Sequence, residues 1–136
     1  MLRFYLLIIT AVIETATGIA LLALPSVPLA LLLGLSEAAP ETLLVGRVAG
    51  AALLAIGVSC WFGRGDAQGK GPAGLLIGVL IYDVAAAVIL AYTGLFLNLA
   101  GIALWPAVVL HTALAGWCVV CVGSSRTASA LDPADH

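Results

Sequence analysis

Three residues able to carry or exchange a proton, Glu14, Asp83 and His111, each lie near the middle of a different long apolar run. A fourth charged residue, Arg47, lies toward the start of another such run. A carboxylate at the centre of a membrane-spanning helix costs about 2.5–3.5 kcal/mol on insertion scales, so it has to face protein or water and find a partner. At a rise of about 1.5 Å per helical residue, Glu14, Asp83 and His111 fall at one depth, near mid-membrane. Arg47, a permanent cation, sits only about five residues inside its boundary. It either snorkels to a headgroup or turns inward to an anion, and Gly50, three residues along, favours the inward face.

The chemistry this set offers is electrostatic and acid–base. A buried cluster of Glu14, Arg47, Asp83 and His111 would fix helix register, exchange protons or hold a small ligand. His111 shares a helical face with Ala107, Ala115 and Cys118, by i+4 and i+7 spacing. His111, Glu14 and Asp83 are also metal-ligating residue types, but common depth alone is weak evidence for a coordination sphere, and no metal is assigned. A single histidine in the spans excludes bis-histidine haem ligation within one chain. No residue is assigned a catalytic role.

Cys118 and Cys121 form a CVVC pair, which raises a thiol-redox reading. Reactive pairs of this spacing sit at helix N-termini, where the dipole favours the thiolate, whereas this pair ends an apolar run. With Cys60 at a similar level, the three cysteines read as small packing residues.

Of 136 residues, 63% are apolar and 9% charged, with a mean hydropathy of +1.21, so the chain lacks the polar surface of a water-soluble domain. The net charge of −2 and the absence of any basic stripe exclude a nucleic-acid partner; the partner is the lipid bilayer. Four runs predict spans over about 4–24, 43–62, 74–92 and 102–122, in a single domain of residues 1–124, with a flexible cytoplasmic tail over 125–136. The first run follows Arg3 as a signal peptide would. Its length and the central Glu14 favour a retained span. Gly46, Gly50 and Gly57 are spaced for close helix packing, and Gly74 and Gly78 form a second small-xxx-small pair. Val27 to Leu35, too short to span, is expected to lie in the interface or re-enter shallowly; the glycine-rich 63–72 is a loop. Arg3, Arg64, Lys70 and Arg126 fall on one side and Glu37 and Glu41 on the other, which predicts both termini cytoplasmic in a plasma (inner) membrane. The fold class is therefore all-α, an integral membrane four-helix bundle.

Two segments, IETATGIALLALP and VGRVAGAALLAIGVSCW, followed by a third and fourth span on a short loop, resemble the small bacterial four-span proteins of the DoxX-like group. The resemblance covers most of the chain and implies the same four-span architecture. Some members of that group are linked to quinone-coupled or thiol redox chemistry. Three function classes follow: a non-enzymatic structural or small-ligand and proton-binding module; a proton-coupled transporter or channel-like module, expected to be a homo-oligomer because four short helices enclose little volume; and an oxidoreductase subunit using a quinone and Cys118 with Cys121. The first carries no cofactor and is the leading expectation.

Overall fold

The structure, a computed structural model, describes residues 1–65 and 73–130. Among these, five helices form: α1 (Leu2–Ala23), α2 (Ser26–Leu33), α3 (Pro40–Gly63), α4 (Ala73–Phe96) and α5 (Leu104–Ala130). Four of them, α1, α3, α4 and α5, are long and apolar enough to cross a bilayer. Most of the predicted 63–72 loop, Lys70 and residues 131–136 lie outside the described residues.

Local chemistry sets the ends. Pro25 follows the end of α1, and α2 stops at Gly34, whose left-handed backbone (φ 71°) suits glycine at a helix C-terminus. Pro40 opens α3 in the first-turn position, with Glu41 beside the positive end of the helix dipole.

The four long helices pair as two antiparallel hairpins. In the first, α1 and α3 meet along a glycine seam. A Cβ built on Gly18 would lie 2.7 Å from the Gly50 carbonyl oxygen, and one on Gly50 would lie 2.8 Å from the Gly18 carbonyl oxygen. At Gly57 a Cβ would run into Thr15. Backbones this close gain dispersion contact that larger residues would prevent. In the second hairpin, Gly94 of α4 admits Leu104 and Trp105 of α5. Gly74 and Gly78 behave differently from expectation: a Cβ at either position meets nothing within 4 Å. They line a shallow groove with Ala55 and Ser59, because α3 and α4 lean apart there.

The two hairpins join tightly only at the end that carries the N-terminus. Leu6, Leu7 and Ala11 of α1, Cys60 of α3, Leu76 and Val79 of α4 and Leu114, Cys118 and Cys121 of α5 form one buried cluster. Arg3 donates from Nη2 to the Cys121 carbonyl oxygen at 3.1 Å, tying the start of α1 to α5. At the other end the hairpins diverge, and α2 lies across the gap. Residues 125–130 of the expected flexible tail instead continue α5 as backbone helix. No proline interrupts the run, and alanine and arginine are good helix formers, so Gly123 alone does not stop it.

The short helix α2 is latched rather than merely adsorbed. Gly101 donates its N–H to the Leu32 carbonyl oxygen and Ala103 to that of Leu31, each at 2.9 Å. A Cβ on Gly101 would collide with the Leu31 carbonyl oxygen. Gly101→Ala should therefore break both bonds and release α2. Faster hydrogen exchange at the Ala103 amide, with unchanged exchange along α1 and α3, is the expected readout.

Candidate functional site

Each long helix except α3 sends one ionisable side chain to the same point. On α1, Leu7, Ala11, Glu14, Gly18 and Leu21 repeat at helical spacing and form its buried face. On α4, Leu76, Val79 and Asp83 share a face, and on α5 His111, Leu114, Ala115 and Cys118 do so. Packing those faces together delivers Glu14, Asp83 and His111 to the centre of the bundle, where one ligand atom from each lies within 4.8 Å of the others. Glu14 is 1% exposed and Asp83 0%.

The contacts within the cluster are specific. His111 Nδ1 and Asp83 Oδ1 are 2.9 Å apart, a buried carboxyl–imidazole hydrogen bond. Tyr82 donates its hydroxyl to Glu14 Oε2 at 3.2 Å, and its ring meets the His111 ring edge-on at 5.5 Å. Among the described residues, two carboxyl oxygens of the cluster, Glu14 Oε1 and Asp83 Oδ2, have no hydrogen-bond partner; outside it, the same holds for the Thr10 hydroxyl, one turn along α1, and for Trp117 Nε1. A buried polar atom without a partner costs about 1–3 kcal/mol, so two such carboxyl oxygens in one cluster are a costly arrangement that bears on what the cluster does.

Tyr82 is the member of the cluster that the sequence pattern did not reveal. It precedes Asp83, and the signal lay in its depth: a tyrosine at mid-span is too far from either interface to serve in an aromatic belt. Tyr82→Phe removes the donor to Glu14 and should lower stability by about 1–3 kcal/mol, measured by thermal or denaturant unfolding in detergent.

Arg47 does not join the cluster. It is exposed on α3 and lines no part of the central cavity. The reason is angular. The buried seam of α3 centres on Gly46, Gly50 and Gly57, and at 100° per residue Arg47 projects about 80° away from it. Gly50 is thus a poor guide to where Arg47 points. Cys118 and Cys121, 0% and 2% exposed, pack with Cys60 in the apolar cluster at the end that carries the N-terminus, in no disulfide. They line no part of the cavity.

That cavity, about 710 Å³, begins at the cluster and runs toward α2 between the diverging hairpins. Glu14, Tyr82 and His111 stand at its inner end. Its walls are apolar, with Leu21, Leu53, Ile89 and Leu110 among them, and Leu31 and Leu32 of α2 cover one side. Beneath the cluster, the packed core closes the other half of the bundle. The ionisable groups therefore sit on the boundary between a solid half and a hollow half. Comparison with known proteins gave no match among family models, curated sequences or solved structures.

Proposed function

We propose that the protein is a non-enzymatic, membrane-embedded binding module for a small apolar ligand with a polar head, recognised by Glu14, Tyr82, Asp83 and His111. The observation that carries this reading is the coincidence of the 710 Å³ apolar cavity with the cluster at its inner end. Ligand sites are typically concave, mostly apolar, about 300–1,000 Å³ in volume, and carry a few convergent polar groups. A purely structural polar cluster would need its partners but not the hollow beside it.

Two other readings are weaker on the same geometry. A transporter needs access from both sides, and the core around Leu7, Cys60 and Leu114 seals one. A thiol-linked oxidoreductase needs Cys118 or Cys121 beside the substrate, and both lie in the sealed half. As part of the proposal, the module lies in a bacterial inner membrane with both termini cytoplasmic, alongside the DoxX-like four-span proteins that its first two spans resemble.

The test fills the hollow without touching the cluster. Ala107 lies one turn before His111 and lines the cavity. Native mass spectrometry of protein drawn mildly from its membrane should show a small molecule bound to the parent and lost from Ala107→Phe. Equal occupancy in a folded Ala107→Phe protein would contradict the reading.

A further inference from the structure

We propose that the ligand is an apolar molecule with a cationic, hydrogen-bond-donating head: an alkylammonium of the primary or secondary class. This rests on the binding-module reading above and names its substrate class.

Two donors meet the four carboxyl oxygens of Glu14 and Asp83 at the inner end of the cavity. Tyr82 already gives its hydroxyl to Glu14 Oε2, and His111 Nδ1 is engaged with Asp83 Oδ1. Glu14, which lines the cavity, keeps Oε1 without a partner among the described residues, and Asp83 keeps Oδ2 unpaired within the cluster; both residues are no more than 1% exposed. An ammonium head brings N–H donors and a positive charge and no acceptor, which complements a carboxyl oxygen facing the cavity. The formal charge agrees, because the cluster holds two carboxyl groups against one imidazole.

The same inventory disfavours an acceptor head. A quinone carbonyl brings only acceptors to a place with unpaired carboxyl oxygens, and would leave Glu14 Oε1 and Asp83 Oδ2 as they are. A bare divalent ion would satisfy Glu14 and Asp83, but would make no use of the apolar walls at Leu53, Ile89 and Leu110. An alkylammonium uses both parts: the head meets the oxygens, and the chain fills the hollow toward α2.

The experiment follows thermal unfolding of the full chain in nanodiscs of zwitterionic lipid, titrated separately with decylamine, decanol, decyltrimethylammonium, decylubiquinone and Zn²⁺. Decylamine should raise the midpoint with an apparent Kd about tenfold or more below that of decanol. Decyltrimethylammonium, with charge but no N–H, should fall nearer decanol, and decylubiquinone should bind more weakly than decylamine. Glu14→Gln should bring the decylamine-to-decanol ratio close to one. Ala107→Phe, which leaves the cluster intact, keeps the test open should Glu14→Gln fail to fold: it should abolish the effect of decylamine and decanol alike. Decylubiquinone or decanol binding as tightly as decylamine would overturn the ammonium assignment and leave the binding module standing. Zn²⁺ stabilising where decylamine does not would assign the unpaired oxygens to a metal and overturn it too. No effect of any probe would remove the binding-module reading itself.

Discussion

His111→Leu should destabilise the protein by about 3 kcal/mol, while the double variant Asp83→Leu/His111→Leu should return to within about 1 kcal/mol of the parent. The asymmetry follows from what each change leaves behind. Asp83 is 0% exposed, and its Oδ1 has His111 Nδ1 as its partner at 2.9 Å. Removing the imidazole strands a carboxyl group in the bundle centre, with no partner for either oxygen. Removing both members deletes the buried polar atoms and substitutes apolar volume. Side-chain hydrogen bonds within membrane bundles average only about 0.6 kcal/mol, with a maximum near 1.7, so the loss of the pair itself is a small term beside the cost of an orphan. Reversible unfolding of the parent, both single variants and the double variant in mixed micelles gives the full cycle. A double variant as unstable as His111→Leu would mean that the pair holds the bundle together. A stable double variant that no longer binds ligand would place the role of the pair in recognition.

The second large effect lies at the α1–α3 seam. Gly50→Leu should unfold the first hairpin or cost more than about 3 kcal/mol, whereas Gly78→Ala should be neutral or stabilising by up to about 1 kcal/mol. At position 50 even the first added carbon lies 2.8 Å from both the Gly18 carbonyl oxygen and Leu21 Cβ, and 3.0 Å from the Leu22 nitrogen. Two of those three are backbone atoms, which cannot rotate aside. The helices must separate, and the contacts along Gly18, Leu54 and Gly57 go with them. At position 78 a Cβ meets nothing within 4 Å, so only the intrinsic helix preference of alanine over glycine remains. Melting temperatures of the two variants, measured side by side, test the sign as well as the size.

That contrast also shows how far the sequence could be read. The four spans follow from apolar length alone, since hydrocarbon tolerates only backbone that bonds to itself. The shared depth of Glu14, Asp83 and His111 follows from counting residues from each boundary, and the bundle brings them within reach of one another. Spacing does not reveal which glycines are packed. Gly46 and Gly50 have the same four-residue interval as Gly74 and Gly78, but only the first pair faces a neighbouring helix at close range. Arg47 was misjudged for the same reason: one neighbouring glycine fixed the face too loosely. The cavity could not be read in advance at all, because it arises from the angle between two hairpins and from the latch between Gly101 and α2. No local pattern records either. The continuation of α5 through residues 123–130 was hidden by a composition of small and polar residues that suits both helix and coil.

The most direct measurement is a dipolar-recoupling solid-state NMR experiment on the protein in lipid bilayers, with imidazole nitrogens and side-chain carboxyl carbons isotopically labelled. Strong dephasing is expected between His111 Nδ1 and the Asp83 carboxyl carbon, lost in Asp83→Leu, with a weaker coupling to Glu14 that changes when decylamine is added. A spectrum in which His111 couples to neither carboxyl group would contradict a shared polar centre, and the ligand site built on it would fall with it.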